Sequence, residues 1–292
     1  MESISQLQVR RLECWRQTPQ RRIGGPDDAA ALIETLGLVT LYPASPELPN
    51  LFHAYVGDPA AKTDSKWDSP SGQVFGWRWT LGRKEVAFYT ALVRKRSTWI
   101  RWDLLPAALR LFGELRVPDE LYDAHAISAD AYRIAHALED APEPLSTGEL
   151  RAAAGFGGSA ERRAAYLKAV EELETRMLLA KVLTPGTDDM SHVLVSSRFR
   201  QHCDAADRLS RAEALDALLA AYLPHAVYAV PTVLARHLKL AEDELRAGLE
   251  RLCERGDAEA RVLDGVKGTC YVWCGAEVAE VGDAASPSSA SV

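Results

Sequence analysis

The stretch Ser146-Thr147-Gly148-Glu149-Leu150-Arg151-Ala152-Ala153-Ala154-Gly155-Phe156-Gly157-Gly158-Ser159 decides the fold. Ser146 and Glu149 have the spacing of a capping box, in which the serine caps a helix start and the glutamate reaches back to it. The helix so begun, Glu149 to Ala154, is stopped at once by the glycine-rich run, and Ser159 caps a longer one. Upstream, Asp130 to Leu138 is amphipathic and ends at Pro142 and Pro144. Downstream, Leu167, Val170, Leu173 and Met177 form an apolar stripe expected to face a core. Two β-like runs follow, Leu178 to Thr184 and Val193 to Ser197, with Pro185 to Asp189 as the turn. Three helices, the second short, and then a hairpin make the element order of a winged helix-turn-helix.

The order recurs toward the C-terminus. Ala212 to Tyr222 is a helix expected to stop before Pro224, and Pro231 starts a short one. Glu242 to Glu254 carries Leu245, Leu249 and Leu252 on one face. A hairpin with Asp264-Gly265 turn chemistry closes the segment. At the N-terminus, Ile4 to Gln17 and Ala29 to Leu36 read as helices, Leu38 to Tyr42 as extended, and Leu51 to Val56 as a short helix. Glu85 to Lys95 and Leu104 to Leu115 read as helical. The expected fold is mainly α with small β-wings: about three tandem winged helix-turn-helix units and a helical connector. The expected boundaries are residues 1–72 for an N-terminal unit, 73–125 for a basic, aromatic connector, and 126–205 and 206–276 for two winged helices. Residues 277–292, rich in Ser, Ala and Pro, are expected to be a disordered tail.

Composition narrows the classes. The chain has 292 residues, 47% hydrophobic and 26% charged, which is ordinary for a globular protein and excludes collagen-like or wholly disordered classes. No run approaches the ~18 apolar residues of a membrane span, and no signal-peptide pattern opens the chain, so a cytoplasmic location is expected. The five cysteines, Cys14, Cys203, Cys253, Cys270 and Cys274, include no CxxC pair and are expected to be buried thiols. The seven histidines form no HxxxH or ExxH array, so neither a metal nor a cofactor is expected. His53 is the histidine placed nearest the expected concave face.

The net charge of −7 conceals a split. Residues 1–102 hold 14 Lys/Arg against 10 Asp/Glu, whereas the remainder hold 20 against 31. Between positions 78 and 101 lie Arg78, Arg83, Lys84, Arg94, Lys95, Arg96 and Arg101 against Glu85 alone. Such a cluster suits phosphate neutralisation with counterion release, and points to DNA, in duplex form, as partner. Trp77, Trp79, Trp99 and Trp102 are interleaved with it, either to stack on unpaired bases or to fill the core. In a winged helix the third helix enters the groove, which singles out Arg162, Arg163 and Lys168. The equivalent helix of the last unit opens with Glu242-Asp243-Glu244, carboxylates that repel phosphate and suit a scaffold or a protein-contact module.

The run Leu32-Ile33-Glu34-Thr35-Leu36-Gly37-Leu38-Val39-Thr40-Leu41-Tyr42-Pro43-Ala44-Ser45 resembles the AlkZ/YcaQ-type winged-helix DNA glycosylases. Glu85 to Tyr89 and Leu104-Leu105-Pro106 share the resemblance. It implies three winged helices forming a concave scaffold over damaged DNA. That family carries Gln-x-Gln or Gln-x-Asp after the Leu-Gly-x-Val stretch, to orient the hydrolytic water. Thr40 and Tyr42 stand at the matching positions, and neither supplies a carboxylate. The chain is also expected to lack the extra C-terminal β-rich domain of those enzymes. Three functions follow from these readings: a DNA-binding relative without the catalytic motif, an active glycosylase excising alkylated or bulky purines, or a transcription regulator or interaction scaffold.

Overall fold

The computed structural model describes residues 2–183 and 189–275. Helix α1 (Ile4–Cys14) comes first, its start closed by a capping box between Ser3 and Gln6. A single order, helix–strand–helix–helix–strand–strand, then occurs three times. The first instance is α2 (Pro26–Leu36), β1 (Leu38–Thr40), α3 (Leu51–Val56), α4 (Pro70–Arg83), β2 (Phe88–Ala91) and β3 (Ser97–Ile100). Helices α5 (Leu105–Phe112) and α6 (Pro118–Asp123) lead to the second: α7 (Ala129–Glu139), β4 (Leu145–Ser146), α8 (Thr147–Ala153), α9 (Ala160–Thr175), β5 (Leu179–Leu183) and β6 (Met190–Leu194). Helices α10 (Val195–Arg198) and α11 (Arg200–Arg208) precede the third. It consists of α12 (Arg211–Ala226), β7 (Tyr228–Ala229), α13 (Pro231–Leu238), α14 (Glu242–Glu254), β8 (Ala258–Arg261) and β9 (Cys270–Trp273). Each instance closes a small antiparallel sheet with the same strand order, first–third–second.

Local chemistry sets the element ends. Ser146 caps α8 with Glu149 reaching back, and Ser210 with Glu213 does the same for α12, each such cap contributing about 1 kcal/mol. Gly37 ends α2 at φ +74°, and a Cβ there would meet Leu104 Cδ1 at 2.5 Å. The turn from α2 into β1 therefore requires glycine on both conformational and steric grounds.

Long-range pairing corrects the expected layout. Residues 73–125 are not a separate helical connector, because α4 runs through the 72/73 boundary and β1 from before it pairs with β3 from after it. Leu38 lies opposite Ile100 and Thr40 opposite Thr98. The segment expected as a helix over 85–95 holds strand β2 and a tight turn. Its Phe88, Tyr89 and Thr90 are aromatic or β-branched and all buried, and Tyr89 sits across from Trp99 with ring centroids 4.6 Å apart. Such cross-strand pairing stabilises a strand more than a helix. Helix α12 continues through Pro224 to Ala226, since burial of Leu223 and Ala226 outweighs the one hydrogen bond that proline forfeits. In α9, Leu167 is 55% exposed, and Tyr166 rather than Leu167 joins Val170 and Leu173 inside. Cys270 is buried, but Cys14 and Cys274 are exposed, contrary to the expectation for thiols. The segment 277–292 and the turn residues 184–188 lie outside the described residues.

One continuous core links the first and third units through Leu36, Leu105, Leu109, Leu215 and Leu219, with α5 packed on α11 and α12. The middle unit has its own core of Ile134, Leu150, Phe156, Tyr166 and Leu173. It meets the first unit where α9 and β5 lie against β2. No helix among the described residues is long and apolar enough to cross a membrane.

Candidate nucleic-acid interface

Thr40 ends β1 with no solvent exposure. Its Oγ donates to the Tyr42 carbonyl at 2.8 Å, with the Pro49 carbonyl at 3.2 Å. The hydroxyl is therefore fully engaged with backbone and out of reach of a substrate. Tyr42 donates its phenol proton to the Ser71 carbonyl at 2.7 Å, at the start of α4. Burial pushes this phenol above its ordinary value, while the neighbouring Arg78 opposes the shift. It stays protonated near neutral pH and cannot act as a base.

A carboxylate residue is tied to Tyr42 through Ser71, and the residue patterns gave no hint of it. Asp64 accepts from Ser69 Oγ at 2.6 Å and from the Lys66 N–H at 3.0 Å. Those bonds hold its carboxyl below the usual carboxylate range. The Asp64 N–H in turn donates to Ser71 Oγ at 3.0 Å, so the loop before α4 is fastened to that helix.

Helix α4 is apolar on two faces. Val74, Trp77 and Leu81 point into the core. Phe75 and Trp79, one turn apart on the other side, do not join that core. They meet Trp67, which is 68% exposed, and Arg78 lies with its guanidinium 3.4 Å from the Phe75 ring centroid. Of the interleaved tryptophans, Trp77 and Trp99 are core residues and Trp102 is half-buried against the core, donating Nε1–H to the Glu85 carbonyl at 2.8 Å.

The cations expected to hold phosphate fall into three places. Arg78, Arg83 and Lys84 lie on α4 and at its C-terminal end, with Lys84 paired to Asp27 of α2. Arg94, Lys95 and Arg96 are exposed in the turn between β2 and β3. Arg94 and Lys95 adopt φ +48° and +60°, and the Arg96 N–H donates to the Val93 carbonyl at 2.8 Å, which makes a type I′ turn. Lys95 pairs with Glu171 of α9, and the turn also packs against α13. Arg162, Arg163 and Lys168 are exposed on α9 itself. The structure thus brings the turn onto the helix that bears the third group.

The remaining candidates are occupied by the fold. His53 is buried, its Nδ1 3.1 Å from Asn50 Nδ2 and its Nε2 3.1 Å from the Ala61 carbonyl oxygen, and burial lowers its pKa. On α14, Glu242 engages Arg246 and Thr232, and Glu244 engages Arg211, so these carboxylates serve internal contacts. Among the described residues no cluster of His, Cys, Asp and Glu could hold a metal ion.

The pattern of the AlkZ-related family matches residues 23–227. No curated protein matches the sequence. Among solved structures, the Streptomyces sahachiroi DNA glycosylase AlkZ resembles this one with a TM-score of 0.52 at 15% identity, over 91% of this chain and 69% of that chain. At that identity the likeness is one of fold. The family match spans most of the residues and contains the whole of the first two sheet-bearing units, so the chain belongs to the AlkZ-related family.

Proposed function

We propose that the protein binds duplex DNA in a DNA-repair setting, through three tandem winged helix-turn-helix units, without the base-excising motif of the glycosylases it resembles. The threefold recurrence of one element order and one strand order supports the unit count. On this reading the units are residues 26–100, 129–194 and 211–273, with α4, α9 and α14 in the slot of the groove-entering helix. The family membership supports a repair role and a cytoplasmic or nucleoid location.

The observation that carries the reading is the cationic turn Arg94-Lys95-Arg96 tied by the Lys95–Glu171 pair to α9, the helix that also bears the exposed Arg162, Arg163 and Lys168. Phosphates are met by the turn and by Arg78, Arg83 and Lys84, with groove contacts from α9. Anisotropy with a labelled duplex tests this. Affinity should fall steeply from low to moderate salt, and each phosphate-binding cation neutralised should reduce the log–log salt slope by about 0.9. A flat salt response sinks the proposal.

A second reading, retained excision of alkylated purines, is favoured by Asp64, a carboxylate residue tied through Ser71 to the motif position Tyr42. It requires release of base from alkylated DNA and loss of that release in Asp64→Asn.

A further inference from the structure

We propose that the outer face of α4, together with Trp67, is a stacking site for an unpaired nucleobase of DNA. The proposal rests on the DNA-binding reading above and gives one of its contact surfaces a specific ligand.

An amphipathic helix buries one stripe and exposes a polar one. Helix α4 does not. Its inner stripe is consumed by the core, yet its outer stripe carries Phe75 and Trp79, and the preceding loop adds the exposed Trp67. Trp67 is exposed and Phe75 and Trp79 are half-buried, and an apolar ring cluster left open to solvent on one side marks an interaction site rather than a solvated face. All three ring pairs are edge-to-face, Trp67–Phe75 at 5.8 Å, Trp67–Trp79 at 6.4 Å and Phe75–Trp79 at 5.6 Å. No ring therefore lies parallel on another, and the widest open surface of the cluster is that of the exposed Trp67.

The site is built in advance of any ligand. Asp64, Ser69 and Ser71 tie the loop to the helix start through the hydrogen bonds already described. Gly72 lies so close to the Trp67 backbone that a Cβ would stand 2.0 Å from its carbonyl oxygen. Trp67 is held in place by its own main chain, so little ordering is needed when a flat ligand arrives.

Charge selects the ligand. Arg78 is stacked over Phe75 and Trp79, its Nε donates only to the Phe75 carbonyl, and among the described residues it has no carboxylate partner. A guanidinium without a carboxylate partner, in the same ring cluster as the exposed Trp67, fits a base attached to its phosphate. Helix α4 also occupies the same slot of its unit as α9 does in the next. A perfect duplex hides its base faces, so the site calls for a base outside the stack.

The test uses the full chain and two labelled duplexes, identical except that one carries a single unpaired adenine. The bulged duplex should bind about 5- to 100-fold more tightly, the range expected of one base–aromatic stack. Trp67→Ala should remove that advantage and leave affinity for the perfect duplex unchanged, while Trp67→Phe should keep most of it. Equal binding of the two duplexes, unaffected by Trp67→Ala, overturns this inference and leaves the DNA-binding reading standing. Absence of binding to either duplex at low salt overturns both. If instead Trp67→Ala changes only the sedimentation behaviour of the protein, the patch is a contact between two copies and the inference falls.

Discussion

Arg11 of α1 and Glu47, in the loop after β1, form a buried ion pair with Nη1 to Oε2 at 3.1 Å. The same guanidinium donates from Nε to the Ala226 carbonyl at 2.7 Å and from Nη2 to the Tyr228 carbonyl. Glu47 returns the link, its own carbonyl accepting from the Tyr222 phenol at 2.9 Å. Burial pushes that phenol up, so it remains a donor throughout the physiological range. One arginine thus joins the N-terminal helix, the first unit and the end of α12 in the third.

Removing it should loosen that union. Arg11→Ala leaves a buried carboxylate without its cation and two carbonyls without donors, a loss expected to cost about 3–5 kcal/mol. The double variant Arg11→Met, Glu47→Gln should recover much of this, because no uncompensated charge remains. Urea denaturation of the two variants against the parent checks the prediction. If the double variant is as unstable as Arg11→Ala, the charge argument is wrong.

The β2–β3 turn should exchange stability for binding. A type I′ turn favours Asn-Gly, whereas Arg94 and Lys95 adopt left-handed backbone there without a short polar side chain or a missing Cβ to ease it. Arg94→Asn with Lys95→Gly should therefore raise stability by about 1 kcal/mol, offset in part by losing the exposed Lys95–Glu171 pair. DNA affinity should drop and become less sensitive to salt. Thermal melting and anisotropy on one preparation report both quantities. A variant that is more stable and binds as before would show the strain to be unrelated to function.

That turn also explains why part of the fold was not legible in the sequence. The second and third units announce themselves through local signals: Ser146 and Glu149, Gly155 to Gly158, and Asp264-Gly265. The first unit has none at its hairpin, where the turn is made by Arg-Lys and the strands are fixed by pairing Leu38 with Ile100 far along the chain. The site divides in the same way. Cations are visible as composition, and Thr40 and Tyr42 as a departure from a motif. Trp67 lies in a polar loop and meets Phe75 and Trp79 only after folding. Phe75 and Trp79 at helical spacing were the available signal, masked by the equally apolar inner stripe of Val74, Trp77 and Leu81.

Acid should weaken the middle unit first. His192 of β6 is 2% exposed, opposite Lys181 of β5, with Nδ1 3.3 Å from the Leu145 carbonyl. Burial, reinforced by the Lys181 charge, lowers its pKa from 6.5 to about 4. The unfolded chain takes up this proton below pH ~6.5 and the folded one resists until about 4. The stability tied to neutral His192 is thus complete above pH ~6.5 and lost progressively as pH falls toward 4, in total about 3 kcal/mol. Denaturation midpoints across that interval should decline in the parent and flatten in His192→Gln. An unchanged slope in the variant would assign the acid sensitivity to other groups.

Two glycines of α4, one turn apart, should respond to alanine with opposite signs. At Gly76 an added Cβ meets nothing within 4 Å, and alanine is the better helix former by about 1 kcal/mol, so Gly76→Ala should raise the melting temperature. At Gly72 the same methyl meets backbone on the Trp67 side, with the Trp67 carbonyl carbon at 2.5 Å and the Lys66 oxygen at 2.7 Å. Backbone cannot turn aside as a flexible side chain can. Either the loop must leave the helix or the helix start must unwind, and both outcomes sacrifice the Asp64–Ser71 bond. Gly72→Ala should therefore lower stability despite its gain in helix propensity, and should shift the fluorescence of Trp67 as it parts from Phe75 and Trp79. Should Gly72→Ala melt higher than the parent with unchanged fluorescence, the loop is not braced by that contact, and the positioning of Trp67 would need another cause.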